Sequence, residues 1–227
     1  MIFSDKSLIL LKSLSKVNKT VFLKEGLVQR AVNPESTVVV EVVLDEELPV
    51  DFPVYDLPKF LGILNAFRGA NLEFTKHYVT ITSGNGWKAT FAACSPELVN
   101  QVATMEKIDS APIALAFVLE SETFHTMLKA AAASEMSQIA FVDTDEGIVM
   151  KAFNKRVSDD IGVSVKITDS PKEKSLCVEK PFIASTTNLM IEPDSYSVKI
   201  SEMGFAQFES QVLNRRYIVL TEMETNK

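Results

Sequence analysis

The sequence predicts an α+β chain of two similar domains, each an antiparallel β-sheet with two helices packed on one face. Three observations carry this. The stretch "EGLVQRAVN" at 25–33 returns as "EGIVMKAFN" at 146–154, with Glu-Gly, Val, Ala and Asn repeated at an offset of 121 residues. Each half places an amphipathic helix with a Ser cap ahead of a run of short strands. Those strands follow one another through tight turns, the order of antiparallel meanders and not of crossover units. At 227 residues, 46% of them hydrophobic, the chain is long enough for two domains of roughly 110 residues, each with its own core.

Ser4 is predicted to cap a first helix that holds Asp5 in its first turn and ends near Val17. At helical spacing, Leu10, Leu14 and Val17 form one stripe with Leu11 beside them, while Lys12, Lys16 and Lys19 cluster on the opposite side. Strands follow at "TVFL", "LVQRAV" and "TVVVEVVL", punctuated by "KEG" and "NPES". "VYDLPKFLGILNAF" reads as a strand end and a second helix, with Pro58 in its first turn and Phe60, Leu61, Leu64 and Phe67 as its core stripe. "LEFTKHYVTITSGNGWKATFAA" closes the first half around a hairpin turn at Asn85-Gly86. A polar connector, about 94–112, leads on, so the domains are expected at 1–108 and 109–227.

The second half runs through the same order. "LESETFHTMLKAAAA" is a helix with Ser121 as cap and Phe124, Met127, Leu128 and Ala131 as core stripe, and Lys129 lies away from it. "EKPFIASTTNLM" takes the place of "DLPKFLGILNAF" and is expected to supply the fourth helix. "YSVKISEMGFAQFE" resembles "HYVTITSGNGWKATF".

Little in the sequence points to catalysis. His77 and His125 lie in different halves, without a partner at metal-ligand spacing. "SGNGW" lacks the later glycine of a dinucleotide loop and the Gly-Lys-Ser/Thr of a phosphate loop. The acidic runs Asp45-Glu46-Glu47 and Asp159-Asp160 are expected to be solvated charge beside turns. A non-enzymatic protein with no metal and no cofactor is therefore expected. Cys94 and Cys177 read as reduced core residues of a cytosolic protein. The sequon Asn18-Lys19-Thr20 carries no weight without a secretory signal. No apolar run reaches membrane-spanning length, so the protein is expected to be soluble, unprocessed and without a membrane partner. The balance of 23 Lys+Arg against 30 Asp+Glu, net −7, makes the basic stripe of the first helix the feature in need of explanation.

"SLILLKSLSKVNKTVFLKEG", "VYDLPKFLGILNAF", "AFNKRVSDD" and "GFAQFESQVLNRRYIVLTEME" together resemble the sliding clamps of T-even-type bacteriophages, the viral counterpart of PCNA. The sharpest block is Tyr55-Asp56-Leu57 followed by Phe60-Leu61-Gly62-Ile63-Leu64, and the blocks stay in order over the whole chain. The resemblance implies the DNA-clamp fold: a homotrimeric ring with sheets outside and helices around a hole for duplex DNA. It implies a processivity factor that tethers the replicative DNA polymerase, in the cytoplasm of the infected bacterial host. Lys12, Lys16 and Lys19 of the first helix, Lys59 of the second and Lys129 of the third would then face the DNA, and the fourth helix would add Lys180, Thr186, Thr187 and Asn188. Phosphate contacts of this kind carry no sequence information and suit sliding. A polymerase, a clamp loader and other replication or transcription factors would enter an apolar pocket through C-terminal peptides, with Met105, Ile108, Pro112, Tyr217 and Val219 as its expected walls. Asp160, Ile161, Val163 and Val165 of one subunit are expected to meet the strand around Thr90 of the next. The competing expectation is a duplicated α+β oligomer that binds no nucleic acid.

Overall fold

The computed structural model describes residues 1–102, 105–145, 147–154, 162–169, 182–185, 192 and 194–223. The chain divides into two compact units, Met1–Ala103 with Leu213–Arg216, and Thr104–Val212 with Tyr217–Lys227. This differs from a single boundary at 108 in two ways. The connector residues from 104 onward belong to the second unit, where Gln207 Nε2 donates to the Ile108 carbonyl at 3.3 Å. Leu213–Arg216, far along the chain, belongs to the first unit: the Val43 amide donates to the Asn214 carbonyl, and Arg216 Nε donates to Glu41 Oε1 at 2.8 Å.

The first unit runs α1 (Asp5–Val17), β1 (Val21–Leu23), β2 (Gly26–Val32), β3 (Val38–Leu48), β4 (Phe52–Val54), α2 (Leu57–Ala66), β5 (Asn71–Phe74), β6 (Tyr78–Thr82) and β7 (Lys88–Ala92). All its strand pairs are antiparallel: β1 with β4, β2 with β3, and the meander β5-β6-β7. Along β3 the inward row Val38, Val40, Val42, Leu44 and Leu48 is buried and meets the buried stripe of α1, Leu10, Leu11, Leu14 and Val17. The α2 side of the core is aromatic, with Phe52 at 6.4 Å from Phe60 and edge-on to Phe74 at 5.2 Å. In α2, Leu57, Phe60 and Leu64 are buried, whereas Leu61 and Phe67, expected in the core stripe, are half-buried.

Ser4 caps α1 as its sequence predicts, its Oγ accepting from the Ser7 amide at 3.1 Å. Asp45 and Glu46 are not loop charge. The alternation of β3 continues through Leu48, which carries both carboxylates to the start of α1. Ser4 Oγ donates to Asp45 Oδ2, the Ser4 amide donates to Glu46 Oε1, and Lys6 pairs with Asp45 at 3.3 Å. Carboxylates are favoured there because the helix start presents unpaired N–H groups and the positive end of the dipole.

The second unit holds α3 (Glu106–Asp109), β8 (Ile113–Leu119), α4 (Ser121–Ala133), β9 (Gln138–Thr144), β10 (Gly147–Phe153), β11 (Val163–Thr168), β12 (Phe182–Ser185), β13 (Tyr196–Ser201), β14 (Phe205–Ser210), β15 (Arg215–Leu220, its first two residues in the first unit) and β16 (Glu222–Met223). One sheet is ordered β11-β10-β9-β12-β16 and the other β15-β14-β13-β8. α4 packs on β10 and β11; its Phe124, Met127 and Ala131 are buried, Phe124 stacking on Phe208 at 6.2 Å, while Leu128 is half-buried.

Three expectations are corrected here. The cap of α4 is Glu120, and Ser121 is its first residue; the Ser121 amide donates instead to Ser195 Oγ at 3.2 Å, a hydroxyl from far along the chain. The segment expected as the fourth helix contains a strand, β12, paired with β9 from Phe182↔Phe141 to Ser185↔Gln138; Lys180, Thr186, Thr187 and Asn188 lie outside the described residues. The hairpin echo is offset by one strand. Met1 exchanges backbone hydrogen bonds with Leu72 of β5, as β8 pairs with β13, so β13 corresponds to β5 and not to β6.

The echo at 25–33 and 146–154 is structural. Gly26 and Gly147 open corresponding strands, β2 and β10, with φ of +104° and +128°. Asn33 and Asn154 end those strands and turn their side-chain carbonyls onto backbone amides, Thr37 and Val38 in one unit and Ser137 in the other. At Gly26 an added Cβ would meet nothing within 4 Å, whereas at Gly147 it would collide with the Thr168 carbonyl. Gly26→Ala is therefore expected to cost about 1–2 kcal/mol from backbone strain alone, and Gly147→Ala more than about 3 kcal/mol. Urea unfolding of both variants checks this, and equal losses would contradict it.

Candidate nucleic-acid interface

α1 presents a sharply divided surface. Its buried side is complete with Ser7, Leu10, Leu11, Ser13, Leu14 and Val17, and the outward side carries Asp5, Ile9, Lys12 and Lys16. Ser13 is wholly buried because a charged group meets it there: Arg215 Nη1 donates to Ser13 Oγ at 2.8 Å, while that hydroxyl donates to the Ile9 carbonyl at 3.3 Å. The far end of the helix is held by Asn18. Its Nδ2 donates to the Val32 carbonyl, its Oδ1 accepts from the Thr20 amide, and this is the structural use of the sequon asparagine. Lys19 follows, exposed, with its carbonyl accepting from the Leu57 amide at 2.7 Å, so the end of α1 is tied to the start of α2.

In α2, Asp56 caps the helix through the Lys59 amide at 2.9 Å, with Pro58 in the first turn and Lys59 exposed. α1 and α2 pack against each other and leave an open groove between them, with Leu8, Ile9 and Leu61 as its apolar lining, Gly62 on one wall, and Lys12 and Arg68 at its borders. Arg68, one residue past the C-cap Phe67, is the cation that sequence reasoning missed. It falls outside the helix period, and only the packing of α2 beside α1 brings it to the groove. Its Nε donates to Asn65 Oδ1 at 3.4 Å.

The second unit offers less. Lys129 is exposed on α4, with His125 one turn before it and Glu122 a turn further back, all on the outward side. Among the described residues no group of His, Cys, Asp and Glu gathers in a way that could hold a metal. Cys94, read as a core thiol, is half-buried at a cleft beside Phe22, Pro53 and His77, and burial pushes its thiol pKa up; Cys177 lies outside the described residues.

The expected subunit-contact residues fall on sheet edges. Thr90 is exposed on β7, the last strand of β5-β6-β7, and Val163 and Val165 are half-buried on β11, the last strand of its sheet among the described residues. Asp160 and Ile161 lie outside the described residues. At the end of β11, Lys166 hydrogen-bonds Asp169 at 2.7 Å and holds its carboxyl below the usual range.

Of the five residues expected to wall a peptide pocket, three are buried. Tyr217 and Val219 are fully buried, on the inward side of β15 with Tyr217 edge-on to Tyr196 at 6.3 Å, and Met105 is 4% exposed. Among the described residues these are core side chains. Ile108, half-buried, and Pro112, exposed, remain at the surface. A strand's apolar residues look alike in sequence whichever face is covered, so spacing alone does not place Tyr217 and Val219 inside.

Comparison with known proteins gives a consistent answer. The chain is 26% identical to the protein named sliding clamp of Vibrio phage KVP40, over 93% of this chain and 95% of that one. It is likewise 26% identical to the sliding clamp of Enterobacteria phage T4, over 95% and 94% of the two chains. Its fold matches that of A. fulgidus PCNA, solved with the C-terminal region of FEN-1 bound, at a TM-score of 0.69 and 14% identity, over 99% of this chain and 98% of that one. No protein-family model matches the chain. The α+β fold of the PCNA and β-clamp subunits is thereby shown.

The geometry of α1 sets a stability expectation. Lys12→Glu with Lys16→Glu should change stability by no more than about 0.5 kcal/mol per site, because both side chains are exposed. Arg215→Ala should cost about 1–3 kcal/mol by removing the donor to the buried Ser13 hydroxyl and the packing of the buried arginine. Chemical unfolding midpoints decide. A loss above about 2 kcal/mol from the lysine reversal would make the stripe part of the scaffold.

Proposed function

We propose that this chain is a sliding clamp: three copies close head to tail into a ring around duplex DNA and tether a DNA polymerase to it. The observation that carries this reading is the clamp fold over essentially the whole chain, with a lysine stripe displayed on α1 of an otherwise acidic protein. A ring of three would carry three times the net charge of −7, so its outer surface repels DNA and attachment comes from threading. Inside, Lys12, Lys16, Lys19 and Lys59, with Lys129 from the second unit, attract phosphates without reading bases.

Ring closure is assigned to the two sheet edges. β7 of one subunit adds to β11 of the next, a heterologous contact that closes by rotation. Each strand then gains a backbone partner on the side where, among the described residues, its own sheet ends. The protein acts as a scaffold without catalysis, in the cytoplasm of an infected bacterium, and receives the polymerase, a clamp loader and other factors through their C-terminal peptides. Ile108 and Pro112 are the surface residues assigned to that docking.

The deciding experiment is retention on DNA. Loaded onto nicked circular duplex, the protein should stay bound through gel filtration and be lost when the circle is linearised; equal release from both would end the clamp reading. In solution, light scattering should find three times the 25.1 kDa chain mass. The Lys12→Glu/Lys16→Glu pair should lose retention steeply at moderate salt and recover part of it at low salt, since the remaining attraction is then less screened. Unchanged retention by that pair would remove α1 from the DNA-facing surface.

A further inference from the structure

The turn between β6 and β7 and the end of α2 line a cleft of about 720 Å³, within the size range of small-ligand sites, to which the functions described above give no role. Trp87, the chain's one tryptophan, belongs to this lining with 66% of its surface exposed. A tryptophan is ordinarily well buried, because its ring is the largest apolar body a side chain offers. Among the described residues only its backbone is bonded: the amide donates to Ser83 Oγ at 3.1 Å and the carbonyl accepts from the Ser83 amide at 2.9 Å. Those bonds fix the turn and leave the indole without a partner. On the helix side of the cleft, Phe67 is half-buried and Arg68 exposed, and Gly69, at a φ of +70°, turns the chain away behind them. Arg68 Nε donates to Asn65 Oδ1 at 3.4 Å and has no carboxylate partner among the described residues. It is the one charged side chain of the lining, in a chain whose net charge is −7.

We propose that this cleft binds an unpaired nucleotide of single-stranded DNA, its base stacked on Trp87 and its phosphate held by the Arg68 guanidinium. Proteins that hold single strands combine aromatic platforms with cations along the backbone, and the cleft offers one of each. Duplex does not fit it: inside a stack both faces of a base are covered by its neighbours, so an indole reaches a base face only where the strand is unpaired. A simple anion would use Arg68 and leave Trp87 in water, and an uncharged apolar ligand would do the reverse. A nucleotide uses both. The carbonyl end of α2 by itself disfavours an anion, and Arg68, one residue past the cap, offsets it. Every base has a π face, so the contact tolerates any sequence. The inference goes beyond the enclosure of duplex and stands on the first unit alone; on a clamp, the site would engage the unpaired template that adjoins the duplex.

The test uses the full-length protein in solution, without a loader. A fluorescein-labelled oligothymidylate of about 16 nucleotides is titrated with protein at low salt and read by anisotropy. Tryptophan emission is followed in the reverse titration, and with a single tryptophan it reports from the cleft alone. Saturable binding with quenching of Trp87 is expected, and no quenching by closed circular duplex. Trp87→Ala should weaken binding about tenfold, with part of the loss restored in Trp87→Phe. Arg68→Ala should lower the slope of log affinity against log salt by about 0.7, the share of one phosphate on a single strand. Both side chains are exposed, so thermal midpoints should stay put and separate lost binding from lost folding. Binding that is unchanged in Trp87→Ala, quenching by closed duplex equal to that by the oligonucleotide, or equal affinity for free dTMP would overturn the proposal. Emission that shifts with protein concentration and ignores DNA would overturn it as well, and give Trp87 to a second copy of the chain. Loss of retention on circles would remove the clamp reading and leave this titration standing, so the two fail separately.

Discussion

The seating of α1 on β3 is the constraint on which the first unit's outward surface depends. A helix with one apolar stripe has a single way to bury it, and the inward row of β3 supplies the matching surface. Apolar contact alone would let the helix slide along its axis. Polar contacts at three points prevent this: Asp45 and Glu46 at the N-terminus, the Arg215–Ser13 pair beneath the middle, and Asn18 at the C-terminus. With axis and rotation both fixed, Lys12 and Lys16 have nowhere to point but outward. The cations are an output of packing, and their own interactions contribute little to it.

The same device explains the placement of Leu213–Arg216. Burying a guanidinium or a hydroxyl is costly without hydrogen-bond partners, and the Arg215 Nη1 bond to Ser13 Oγ offsets part of that cost for both. Arg216 next to it turns to the opposite side of the strand, where Glu41 accepts from both Arg216 and Arg30, at 2.8 and 2.6 Å. Two adjacent arginines on one strand thus serve opposite faces of the sheet, as its period of two dictates. The last part of the chain thereby stiffens the layer that carries its first helix.

The duplication has kept what the backbone needs and let the rest diverge. Gly26 and Gly147 keep a conformation that a side chain would strain, and Asn33 and Asn154 keep the satisfaction of turn amides. The helix start has been solved twice by different means. Ser4 caps α1 locally through the Ser7 amide, while in α4 the Ser121 amide, first after the cap Glu120, is satisfied by Ser195 from a distant turn. The cations have not been kept at all evenly, since α4 carries Lys129 alone where α1 and its end carry Lys12, Lys16 and Lys19. Backbone requirements are local and unforgiving, whereas attraction to a polyanion is long-ranged and tolerates redistribution.

Much of this was legible in the sequence because it is governed by local periodicity. The helix at Asp5–Val17, its Ser4 cap, its buried and exposed sides, the hairpin at Asn85-Gly86 and the glycine–asparagine repeat all follow from the chain's own spacing and φ preferences. What the sequence could not decide was where one strand's neighbours lie. The inward placement of Tyr217 and Val219, the strand at Phe182–Ser185, the transfer of Leu213–Arg216 to the first unit and the capping of α4 by Ser195 each depend on a partner tens of residues away or more. Arg68 reaches the groove for the same reason, through the packing of one helix on another. Spacing along the chain specifies which side of an element is apolar; only the assembled fold specifies what that side is pressed against.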